Sequence, residues 1–181
     1  MTPITEEDID DMRQRGFDPS GIEEAKERLC LLRQGEGIAE EIRHAFADVR
    51  LGDGIGLWEA QGLDDNADVK TMNGHVARDE REDWSAIPVT ELQRCSSSLS
   101  FFDADGMRFH LPAYLLAELR GLYGYRMTFC LTHLRDDGEQ FALLNIAQRS
   151  AVRRFLLHIL KDPDSEFEQS HIQSALGSFW R

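Results

Sequence analysis

Apolar residues recur at helical spacing along most of the chain. Ile22, Ala25, Leu29 and Leu32 stand three or four residues apart, which puts them on one helical face and predicts an element opened by Asp18-Pro19-Ser20 and ending near Gly35-Glu36-Gly37. Before it, Thr5 followed by Glu6, Glu7 and Asp8 marks a helix entry over residues 3–15, with Gly16 as the exit. Ile38, Ile42, Ala45, Phe46 and Val49 predict a third helix, and Leu57 to Gln61 a short one after the glycine-rich turn Gly52–Gly56. Later segments, Ala113–Tyr123, Phe141–Lys161 and the stretch carrying Phe167, Ile172, Leu176, Phe179 and Trp180, read as helices whose apolar faces dock on a core.

Two segments depart from this period. Ser98–Phe102 and Met107–Leu111 are apolar runs joined by Asp103-Ala104-Asp105-Gly106, and alternation places Met107, Phe109 and Leu111 opposite Arg108 and His110. That pattern predicts a β-hairpin ended by Pro112. Residues 64–83 are polar and nearly free of large apolar groups, which predicts an irregular acidic loop, with Trp84 and Ile87 returning the chain to the core. The expected architecture is an α+β domain, mostly helical, with helices around a hairpin or short antiparallel sheet at residues 98–111. Residues 1–37 form a helical appendage and residues 38–181 a single core domain carrying the 64–83 loop.

Length and charge sharpen the picture. A chain of 181 residues with 41% hydrophobic and 29% charged positions is long enough for a sizeable core and unlike a disordered, collagenous or disulfide-knotted chain. The formal net charge is −13, which repels nucleic-acid phosphates and anionic membranes. Residues 1–90 hold 22 acids and 10 bases, a net of −12, against 11 acids and 10 bases in residues 91–181, a net of −1. A basic partner is therefore steered toward the N-terminal half. The N-terminus lacks a cationic-then-apolar leader and no apolar run reaches the roughly 18 residues of a membrane span, so a cytoplasmic location is expected. Cys30, Cys95 and Cys130 are odd in number and far apart, as free buried thiols are.

Tests for chemistry leave little. Asp64, Asn66 and Asp68 imitate the start of a calcium loop, but Val69 and His75 stand where its glycine and bidentate glutamate belong. Gly52-x-Gly54-x-Gly56 is followed by Leu57 in place of the third glycine of a dinucleotide loop. Neither a nucleophile elbow nor a zinc-helix motif occurs, and the six histidines lack ligand spacing. No cofactor, metal or catalytic residue is assigned. The one enzymatic grouping is Asp103, Arg108 and His110 around the hairpin, where carboxylate, guanidinium and imidazole suit a small hydrolase or metal-assisted enzyme. The densest acidic cluster is Asp79, Glu80, Glu82 and Asp83, and with Asp64, Asp65 and Asp68 it forms the expected partner-binding surface.

Leu51-Gly-Asp-Gly-Ile-Gly-Leu57 with Glu59-Ala60, Asp83-Trp84 with Ile87-Pro88, and Leu99-Ser-Phe-Phe-Asp-Ala104 with Gly106-Met-Arg-Phe-His-Leu-Pro-Ala-Tyr114 together resemble a bacterial family of unknown function. The likeness runs over roughly residues 38–160 and implies relatives without implying a reaction. Small acidic proteins of this character resemble immunity proteins that neutralise toxins. The expected function is a non-enzymatic interaction module, an immunity or antitoxin protein that binds and blocks a basic toxin. A third reading is a structural subunit that forms a homodimer through its apolar last helix.

Overall fold

The computed structural model describes residues 4–134 and 136–181, with the backbone alone at 136, 137, 163 and 164. Among the described residues the regular structure is nine α-helices and four short 3-10 turns, and none is a strand. Thr5 caps α1 (Glu6–Gln14) in a reciprocal box with Asp8, and Asp18 caps α2 (Pro19–Ala45) by accepting from Ser20 N. Then follow α3 (Leu57–Asp64), α4 (Val69–Val76), α5 (Val89–Arg94), α6 (Ala104–Leu119), α7 (Met127–Thr132), α8 (Ile146–Ile159) and α9 (Gln169–Gly177). Residue 3 of the expected first helix lies outside the described residues.

The fold is therefore all-helical, and the expected α+β architecture is corrected. Ser96–Ser100 is a 3-10 turn, and the presumed second strand lies inside α6. Asp103 is the N-cap of that helix, its carboxylate accepting from Gly106 N at 2.8 Å. The Asp-x-x-Gly string thus starts a helix where a hairpin turn was read. Alternation at Met107, Phe109 and Leu111 misled because 11 of the 16 residues of α6 are buried, so no solvent face remains to display the helical period. Pro112 sits within the helix instead of ending the run.

Further boundaries differ from the sequence reading: the helix expected over 141–161 is α8 at Ile146–Ile159, and Phe167, expected to dock, is 93% exposed in a 3-10 turn before α9. α2 continues through Gly35 and Gly37, although a helix-interior glycine costs about 1 kcal/mol relative to alanine. Ile38 and Ile42, buried beyond those glycines, together contribute about 3–6 kcal/mol of apolar burial, which outweighs the two glycines. Within residues 64–83, Val69–Val76 form α4.

The core is organised around α6, which packs against α2, α5, α7 and the turns at Trp84–Ala86 and Asp136–Phe141. α2 and α8 form the most extensive helix pair, and α1 packs on α2. Trp84 and Ile87 enter the core as expected, and Trp84 Nε1 donates to Phe46 O at 2.8 Å. Of the thiols, Cys95 is buried, Cys130 is half-buried and Cys30 is exposed on α2. No described helix is long and apolar enough to cross a membrane.

The C-terminus closes this core. Trp180 is buried among Phe141 and Phe179, and its Nε1 donates to Leu131 O at 2.8 Å. From α8, the Arg153 guanidinium donates to Leu176 O and Trp180 O at 3.1 and 2.6 Å. Arg149 lies over the Phe179 ring at 4.4 Å. Truncating Trp180 removes both the packing and the anchor, so Trp180→Ala is expected to cost about 3–5 kcal/mol in urea unfolding. A loss below about 1 kcal/mol would show that the terminus frays.

Candidate functional site

The segment richest in glycine and acid, residues 51–83, is fastened to the body at two points. At the first, the Asp103 carboxylate accepts from Ile55 N at 3.1 Å as well as capping α6. A Cβ on Gly106 would lie 2.5 Å from Ile55 O, so only glycine admits this approach of loop to helix. At the second, the Asp79 carboxylate accepts from Trp58 N at 2.7 Å and Glu59 N at 3.1 Å. It caps α3 from 20 residues away in the chain. Gly56 is the N-cap position and has no side chain; any Cβ there would collide with that carboxylate. Arg81 completes the clasp, its guanidinium donating to Gly52 O at 2.6 Å while its carbonyl accepts from Leu51 N at 2.9 Å. The loop's three glycines thus do different work: Gly54 lets the loop approach Asp105 and Gly106, Gly56 makes room for the Asp79 carboxylate, and Gly52 takes a positive φ of 59°.

The grouping of Asp103, Arg108 and His110 changes meaning with the secondary structure. On a strand, Arg108 and His110 share a face; on α6 they point roughly 200° apart. His110 is fully buried, stacked on Phe102 at 4.4 Å, with Nδ1 donating to Gly106 O at 2.7 Å. Burial pushes its pKa down to about 4, against weaker opposition from the Gly106 bond and Asp103. Its Nε2 has no partner. The three side chains therefore do not converge on an accessible point. Among the described residues no group of three or more His, Cys, Asp or Glu converges on a metal position.

The acidic residues of 64–83 divide by their work. Asp79 is half-buried, and burial raises its carboxyl above the usual range, partly offset by the Trp58 and Glu59 amides. Asp68 caps α4 by accepting from Thr71 N at 2.8 Å, and bonds to Thr71 hold it below the usual range. Glu80 accepts from Glu82 N and Asp83 N, and Asp83 accepts from Ser85 Oγ and N, each held low by those bonds. Glu82 pairs with Arg50 at 3.3 Å, both side chains exposed. Asp64 ends α3 and Asp65 is its C-cap, and both are exposed.

Beside these acids lies a feature the sequence reading missed. α4 has no buried residue. An isolated helix of eight residues is unstable in water, so its contacts with α3 must hold it. Met72 and His75 lie over Gly62, where a Cβ would be 3.0–3.1 Å from their side chains, and His75 stacks on Trp58 at 5.7 Å. Trp58 is fixed in turn: Nε1 donates to Glu91 Oε2 at 3.1 Å, and Arg78 lies over the ring at 3.5 Å while pairing with Glu91. The outer surface then presents Val69, 79% exposed, with Leu63 and Val76 also exposed. Val69 and Val76, seven residues apart, share one face of α4. That spacing was readable in the sequence but masked by the surrounding polar residues.

An all-helical domain with an acidic ledge at α3–α4 is the class that this geometry defines. A family of unknown function, DUF6714, matches residues 34–181, and the chain belongs to it. No curated protein and no solved structure matches the chain.

The division among the acids is testable. Asp79→Ala leaves the α3 amides without their acceptor and is expected to cost about 1–3 kcal/mol, whereas Asp64→Asn with Asp65→Asn stays within about 0.5 kcal/mol of wild type; equal effects in urea titrations would refute the division. His110 supplies a second test. Its folded pKa near 4 lies below the ordinary 6.5, so its stabilising neutrality is fully present above 6.5 and lost as pH falls toward 4, by up to about 3 kcal/mol. Glu118, which burial lifts to about 7 from 4.5, acts in the opposite sense, contributing fully below 4.5 and losing its contribution as pH rises through 7. Stability measured between pH 7 and pH 4 is expected to fall less steeply in His110→Leu than in wild type, and parallel profiles would contradict the burial argument.

Proposed function

We propose that this protein is a non-enzymatic interaction module that engages a basic protein partner through the α3–α4 ledge. The observation that carries this reading is α4 itself, a helix with no buried residue that displays Val69 and Val76 next to Asp64, Asp65 and Asp68. An apolar patch edged by charge is the usual anatomy of a protein interface. Between Leu57 and Asp83 there are eight acids and three bases. Two of those bases are engaged locally, Arg78 over Trp58 and Arg81 on Gly52 O, and the excess of acids keeps the field of the segment negative. Steering of a cationic partner toward this surface follows from that field.

The narrower form of the proposal makes the partner a toxin whose active site the ledge covers, the role of an immunity or antitoxin protein. Its support is the absence of a convergent catalytic grouping among the described residues together with the acidic ledge. A small hydrolase built on Asp103, Arg108 and His110 has less support, because burial and helical phase separate those groups.

The test uses the full chain as bait at low and high salt, beside Asp64→Lys/Asp65→Lys/Asp68→Asn and Val69→Asp variants. The expected result is one basic protein retained by wild type at low salt, released by salt, and lost from both variants. Its association with the charge variant should be slower by about tenfold or more. Retention unchanged by both variants would remove α3–α4 from the proposal, and retention of nothing basic would overturn the interaction reading. For the narrower form, the captured protein's activity should be inhibited by wild type and not by Val69→Asp.

A further inference from the structure

The groove between α2 and α8 shares no residue with the α3–α4 ledge and has the opposite electrostatic character. It is an open-sided hollow of about 550 Å³. Arg33 comes from α2, Arg154 from α8, and Lys161 from just beyond the end of α8; no carboxylate lines the groove. In a chain of net charge −13, three cations gather on one concave surface. Their partners leave them accessible. Arg33 pairs with Glu6 and Arg154 with Glu41, but all four side chains are more than 40% exposed, and exposed pairs of this kind hold weakly against a competing anion. Lys161 Nζ donates to the neutral Gln34 Oε1 at 3.1 Å.

Two further features shape the groove. Gly37 lines the groove from within α2, yet a Cβ built on it would meet nothing within 4 Å. Packing does not demand glycine there, as it does not at Gly21 of the same helix; at Gly37 the missing side chain leaves open space in the groove. His158 also lines the groove, its Nε2 edge toward Gly35 and its Nδ1 shut off from water, so the ring is a fixed wall beside the cations and a reporter of what enters. Burial and the adjacent Lys161 hold this imidazole below its usual range, with Asp162 opposing. Ile38 and Leu157 supply apolar wall beside these polar groups.

We propose that the α2–α8 groove binds a small organic anion, a phosphate or carboxylate carried on an apolar body. Arg33, Arg154 and Lys161 receive the charged end and Ile38 and Leu157 the body, over the space left at Gly37. Guanidinium groups suit both oxyanions because they donate two parallel N–H bonds to them.

The experiment follows the His158 Cε1–H resonance while phenyl phosphate, benzoate, inorganic phosphate and phenol are titrated into the full-length protein. Saturable shifts are expected with phenyl phosphate or benzoate, weaker binding with inorganic phosphate, and none with phenol; which of the first two binds more tightly separates the phosphate from the carboxylate source. Arg154→Ala and Lys161→Ala should each weaken binding by about tenfold. Gly37→Met should abolish it while leaving thermal stability equal or higher, since methionine is the better helix former and its Cβ has room. No saturable response to either aromatic anion overturns the proposal, as does binding indifferent to Gly37→Met and Arg154→Ala.

Discussion

Enclosure of α6 is the constraint from which most of the molecule follows. A helix with 11 of 16 residues buried must be met by apolar surface around its circumference, and its polar groups must find partners inside that shell. Tyr114 donates to Cys95 O at 3.2 Å and His110 to Gly106 O at 2.7 Å, so each aromatic or imidazole tip is tied to nearby backbone. The N-terminal end is the harder problem, because the first amides of a helix lack internal acceptors. One carboxylate has two tasks: Asp103 satisfies Gly106 N of the helix and also accepts from Ile55 N of the neighbouring loop. That shared acceptor draws the 51–56 loop against the helix end, and Gly106 is the residue that lets the two backbones meet.

The same economy governs the acidic segment that follows. Asp79, Asp68, Glu80 and Asp83 each satisfy backbone amides at a helix or turn start, a contribution of about 1 kcal/mol apiece for a good cap. Much of the negative charge in this half of the chain is thus a by-product of folding short helices in a small space. A cap remains charged, however, and its field still reaches solvent when the cap lies at the surface, as Asp68 and Asp83 do. Counting acids therefore overstates how many side chains are free to touch a partner, while describing the long-range field fairly.

Sequence patterns exposed some of this and concealed the rest for identifiable reasons. The caps at Thr5 and Asp18, the exit at Gly16 and the docking of the terminal Trp180 were legible because they are local signals or simple apolar faces. The phase of residues 104–112 was not: periodicity reports a boundary between wet and dry faces, and α6 has almost no wet face. From that one misreading followed the hairpin and the placing of Arg108 and His110 on a common face. α4 was hidden the opposite way, since a helix with every residue near water carries no apolar stripe to announce it. The trans cap from Asp79 to α3 and the groove between α2 and α8 depend on residues 20 and more than 100 positions apart, beyond the reach of local patterns.

Two surfaces remain that folding alone does not account for. α4 adds nothing buried to the core, yet Gly62, His75 and Trp58 are arranged to hold it in place. Gly37 weakens α2 without enabling any contact, at a position where almost any side chain would fit. In a protein whose net stability is a small difference between large terms, features that cost or fail to contribute are best explained by what they leave exposed. One leaves an apolar, acid-edged helix face and the other an open groove lined by Arg33, Arg154 and Lys161, so the two surfaces present side chains of opposite charge. They share no residue, so a substitution on one face leaves the side chains of the other in place.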